Sequence, residues 1–79
     1  MVIQVLGSGC PKCRTLEANA REAVKNLSID AEIIKVQDMD KIMDMGVMIT
    51  PTLAIDGEVK KTGKVLSVSE VEDILKTIS

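Results

Sequence analysis

Phenylalanine, tyrosine, tryptophan and histidine are all absent from the chain. Without aromatic faces there is no stacking platform for single-stranded nucleic acid. The core has to be built from Val, Ile, Leu, Ala and Met. With no histidine and only two cysteines, a closed zinc site lacks its usual set of four ligands. Neither sign of charge dominates: 10 basic residues face 12 acidic ones, so the basic footprint of a nucleic-acid binder is missing. The densest basic stretch, Lys60, Lys61 and Lys64, reads as a solvated strand end that discourages edge-to-edge pairing. No apolar run approaches the ~20 residues that span a bilayer. The N-terminal stretch has neither the basic start nor the cleavage site of a secretory signal. No linker, repeat or low-complexity segment divides the 79 residues, which predicts one domain, 1–79. The expectation is a cytoplasmic monomer with neither nucleic acid nor membrane as partner.

What is present has a clear order. Val2 to Leu6 is almost continuously apolar and β-branched, as in a strand covered on both faces. Gly7-Ser8-Gly9 breaks the run. Pro11 suits a first helical position, where its missing N–H costs nothing. From there Cys13, Leu16, Ala20, Ala23, Val24 and Leu27 recur at helical spacing, with Glu17 and Arg21 four apart on the outer side. Residues 31–36 read as a second strand, which makes a βαβ unit with parallel pairing and a right-handed crossover. Asp38 is a candidate N-cap for a short helix ending before Gly46, with Met39, Ile42 and Met43 facing inward. Asp56-Gly57 between Thr52–Ile55 and Glu58–Thr62 is a hairpin signal. Ser67 and Glu70 have capping-box spacing ahead of Val71, Ile74, Leu75 and Ile78. The predicted order is β-α-β-α-β-β-α, an α/β sandwich whose four-stranded mixed sheet lies between helices.

Gly9-Cys10-Pro11-Lys12-Cys13 follows a strand and opens a helix. A helix N-terminus favours a thiolate through its dipole and free N–H groups, and Lys12 and Arg14 add positive charge. Cys10 falls at the cap position and is the expected nucleophile. Cys13 begins the apolar stripe, where burial disfavours its thiolate. Two intervening residues let the sulfurs close a small ring, so the pair suits a reversible disulfide formed and broken by thiolate attack. Such a pair carries two electrons itself, so no organic cofactor and no metal is expected. A Cu(I) carrier with thiolate and Met ligands is the metal alternative. Met39, Met43, Met45 and Met48 are instead expected as gap-fillers in a core without aromatics.

Together these residues resemble the thioredoxin and glutaredoxin families, in particular the short thioredoxin-like redox-active disulfide proteins of prokaryotes. The Gly-Cys-Pro-Lys-Cys turn resembles their active site. Gly46-Val47-Met48-Ile49-Thr50-Pro51-Thr52-Leu53, followed by Asp56-Gly57-Glu58-Val59, resembles their cis-proline segment and hairpin. The resemblance implies a sheet ordered second, first, third, fourth strand, with the third antiparallel to the first. It also implies a cis Pro51 beside the cysteine pair, and a Thr50 backbone that pairs with an extended substrate segment. It implies a thiol–disulfide oxidoreductase acting on disulfide-containing proteins and recharged by an upstream reductase. Cys10 and Cys13 would be catalytic, Gly9, Pro11 and Lys12 supporting, and Thr50 and Pro51 in contact with substrate. The alternative is a binding module on the same fold with little turnover. The sequence departs from the pattern at three places. Gly9 stands where thioredoxins carry Trp, and Gln4 where they carry a buried Asp. Gly63 is followed by Lys64 and Val65, where glutaredoxins have a double glycine and a glutathione-binding residue.

Overall fold

The computed structural model describes residues 1–7 and 11–78. Cys10 and Gly9 lie outside the described residues. Five-residue strand β1 (Val2–Leu6) is followed by helix α1 (Pro11–Leu27), strand β2 (Glu32–Val36) and helix α2 (Met39–Asp44). Strands β3 (Thr52–Ile55) and β4 (Glu58–Thr62) and helix α3 (Val68–Ile78) complete the chain. The sheet order is β2-β1-β3-β4, with β1 parallel to β2 and antiparallel to β3. Both the element order and the strand order match the expectation.

Local chemistry accounts for most boundaries. Pro11 opens α1, and Glu17 accepts from Arg21 at 3.0 Å on its outer face. Asp38 caps α2 by accepting from the Asp40 N–H at 2.9 Å. Gly46 beyond its end has φ +78°, a conformation that suits a residue without a Cβ. At the hairpin, Asp56 and Gly57 have φ of 51° and 83°, as a two-residue primed turn needs. Asp56 also bridges to β1, its side chain accepting from the Val2 N–H at 2.8 Å. The β3–β4 register slips between Leu53 and Ala54, which leaves Lys60 as a bulged residue on the edge strand. The capping box of α3 is complete: the Ser67 hydroxyl accepts from the Glu70 N–H, and Glu70 accepts from the Ser67 N–H.

The two sheet faces are unequal. Ile3 and Val5 of β1, with Leu53 and Ile55 of β3, pack under α1 and α3 against Leu16, Ala20, Ala23, Val71 and Leu75. The opposite face holds a smaller cluster of Leu6, Ile42, Val47 and Ala54. Helix α2 is six residues long and turns only Ile42 into that cluster. Met39 and Met43, expected inward, are 51% and 66% exposed, and Met48 is 95% exposed. All three are surface residues: Met39 and Met43 because fewer than two helical turns present one side chain to a sheet, and Met48 in the loop between α2 and β3. Met45 is half-buried against the small cluster. Among the described residues no helix is long and apolar enough to cross a membrane.

Candidate active site

Cys13 is the third residue of α1 and is buried. The first turn of α1 contains no acidic residue, while Lys12 and Arg14 lie beside the cysteine in sequence and are exposed. The sulfur lies against β1 where that strand ends. A Cβ built on Gly7 would land on Cys13 Sγ, 3.2 Å from Cys13 Cβ and 3.7 Å from Thr50 Cβ. Any side chain there would occupy the sulfur's place. The Gly7 N–H donates to the Val36 carbonyl at 2.9 Å, so the glycine is fixed to β2 as well. Sequence reading took Gly7 for a strand breaker. Its role as the backbone seat of a sulfur depends on a contact six residues away in sequence, which no local pattern signals.

The Thr50–Pro51 peptide bond is cis. Pro51 is buried and Thr50 half-buried. The segment is held from two sides. Gly63 donates its N–H to the Pro51 carbonyl at 2.8 Å, and the buried Thr52 hydroxyl donates to the Ile49 carbonyl at 2.6 Å. Gly63, with φ +68°, comes so close to Ile49 that an added Cβ would sit 2.7 Å from Ile49 Cγ2. Next to Thr50, Met48 and Ile49 present apolar side chains to solvent, 95% and 60% exposed. Thus Cys13 and Thr50, some forty residues apart in sequence, meet at Gly7, and Pro51 follows Thr50 through the cis bond. Pro11 and Lys12 are exposed at the helix start.

A cleft of about 70 Å³ borders the sulfur, lined by Val5, Gly7, Cys13, Arg14, Lys35 and Gln37. Among the described residues no cluster of three or more His, Cys, Asp or Glu side chains is arranged to hold a metal ion.

The cis bond before Pro51 is what the sequence resemblance implied; the seat of Cys13 on Gly7 was not part of it. Residues 1–76 match the family model described as a thioredoxin domain. The chain belongs to the thioredoxin family. It is 52% identical over 75 residues to a thioredoxin of Methanothermobacter thermautotrophicus, covering 95% of this chain and 97% of that one. It is 43% identical over 77 residues to a thioredoxin of Methanocaldococcus jannaschii, covering 98% of this chain and 88% of the relative. Thiol–disulfide exchange is therefore its chemistry, and the enzyme is a dithiol–disulfide oxidoreductase.

Proposed function

We propose that Cys10 and Cys13 are the redox pair of a protein-disulfide reductase, with Cys10 as nucleophile and Cys13 as resolving thiol. The observation that carries this reading is the seat of Cys13 Sγ against Gly7, with Thr50 beside the same position. Cys10 immediately precedes Pro11, the first residue of α1. That position favours a thiolate, since the helix dipole and the unopposed basic residues of the first turn all stabilise negative charge. The thiolate attacks a substrate disulfide and forms a mixed disulfide. Cys13 then attacks Cys10, the reduced substrate leaves, and the Cys10–Cys13 disulfide remains. The pair carries the two electrons without an organic cofactor. Pro11 fixes the turn, Lys12 adds charge, and Gly9 completes the supporting residues.

Substrate contact falls to Thr50 and Pro51, with the Thr50 backbone pairing with an extended substrate segment by strand addition. Exposed Met48 and Ile49 add an apolar contact with adaptable shape. The partners on this reading are a disulfide-containing protein and an upstream reductase. The enzyme works as a monomer in the reducing cytoplasm, where two cysteines three apart serve catalysis rather than structure.

The test uses insulin as the disulfide probe and non-reducing gels. Cys13→Ser should accumulate a mixed disulfide with an insulin chain through Cys10, whereas Cys10→Ser should capture nothing. Adducts that accumulate through Cys13 would reverse the roles.

A further inference from the structure

The loop between α2 and β3 is fixed on either side of Met48. Before it, buried Val47 donates its N–H to the Ile42 carbonyl at 3.2 Å. After it, the Ile49 carbonyl accepts from the Thr52 hydroxyl at 2.6 Å. Gly63 lies against Ile49 and donates its N–H to the Pro51 carbonyl at 2.8 Å. None of these hydrogen bonds involves the Met48 side chain. That side chain is 95% exposed, the most of any large hydrophobic among the described residues. With so little surface covered, it contributes little to the core.

Its thioether nevertheless has a chemistry of its own, since methionine sulfur is oxidised to the sulfoxide where an oxidant can reach it. Met43 and Met39 are 66% and 51% exposed on α2, and Met45 and Met1 are half-buried. Access therefore ranks Met48 first among the five methionines. Position gives its oxidation a consequence. Met48 lies two residues before Thr50, which meets Cys13 at Gly7. Oxidation turns a flexible apolar side chain into a polar one. A sulfoxide oxygen covered by an apolar substrate surface lacks a hydrogen-bond partner, which weakens that contact.

We propose that Met48 is an oxidation site through which peroxide lowers the affinity of the enzyme for protein disulfides while sparing the cysteine chemistry. The step balances as follows. The thioether sulfur attacks one oxygen of hydrogen peroxide, an S–O bond forms and the O–O bond breaks. The departing hydroxide keeps the bonding pair and is protonated to water, while the new S–OH group loses its proton to solvent. The sulfur is oxidised by two electrons and the peroxide reduced by two. A methionine sulfoxide reductase restores the thioether.

The inference rests on the proposed substrate contact of the Met48 segment, and the experiment tests the two separately. Enzyme in its disulfide form is treated with hydrogen peroxide, the peroxide is removed, and sulfoxide at each methionine is measured by peptide mass spectrometry. Reduction of insulin and of the small aryl disulfide DTNB is then followed with dithiothreitol as electron donor. Met48 should oxidise ahead of Met43 and Met39. The KM for insulin should rise about tenfold with kcat unchanged, as burial of an unpaired polar group in a binding contact does, and DTNB reduction should not change. Met48→Leu should show the same KM before and after peroxide, whereas the double variant Met39→Leu/Met43→Leu should still respond. Met48→Gln should raise the KM for insulin without peroxide. An unchanged KM with Met48 fully oxidised, or an equal rise in Met48→Leu, would overturn the inference. Loss of the circular-dichroism signal on oxidation would make the effect one of folding and overturn it as well. An untreated enzyme that reduced neither disulfide would bring down the cysteine-pair reading, and the inference with it.

Discussion

Gly7 is where the chain spends a residue on the approach of a sulfur rather than on a turn. Its φ is not in the left-handed region, so the demand is for space and not for backbone freedom. Gly7→Ala would drive a methyl group into the position of Cys13 Sγ, flanked by Thr50. Overpacking of this kind costs about 1–3 kcal/mol. Urea unfolding followed by circular dichroism should show that loss, since the chain has no Trp for fluorescence. Thiol reactivity of Cys13 should change with it. Unaltered stability together with unaltered reactivity would mean that the sulfur does not rest on Gly7. Gly63 is tied to the cis-proline loop for both reasons at once, a positive φ and a close approach to Ile49.

At the scale of elements, the start of α3 carries the strongest electrostatic signature among the described residues. Lys64, 2.7 Å from Glu70, and then the Ser67 N–H hold the Glu70 carboxyl down at about 2 from an ordinary 4.5. A carboxylate depressed on folding stabilises fully above its unfolded value and loses that contribution as pH falls towards the folded one. Thermal unfolding of the parent and of Glu70→Gln should therefore differ most above about pH 4.5, and the difference should vanish as pH falls to about 2. The pair is solvent-exposed, so added salt should shrink the difference as well. A pH-independent difference would remove the carboxylate from the account. This cap was legible in the sequence, as were the Asp56-Gly57 hairpin, Gly46 and the stripe of α1, because each is decided by residues within a few positions. Helix α2 was legible in its bounds but not in its faces. Helical spacing places Met39, Ile42 and Met43 on one side. How many of them the sheet covers depends on the length of the helix over it, and only Ile42 is covered.

The whole molecule brings together what the sequence keeps apart. Strand order followed from the resemblance. The meeting of Cys13 with Thr50 at Gly7 depends on two crossings of the sheet, β1 to β2 in parallel and β1 to β3 antiparallel. Local propensity does not encode such contacts, and it favours a trans bond before most prolines, whereas the bond before Pro51 is cis. Nor does it say which face of β1 a residue takes. That register puts Gln4 on the α2 side and Val5 beside the buried thiol. The central claim of the account is that Cys10 and Cys13 oxidise together within one chain. Its most direct test is thiol alkylation read by mass spectrometry across a series of redox buffers. The account predicts that both thiols disappear in a single two-electron transition, in which ~30 mV changes the ratio tenfold, at the mass of a monomer less two hydrogens. A chain that retains a free thiol at every potential, or that loses its thiols only by dimerising, would contradict it.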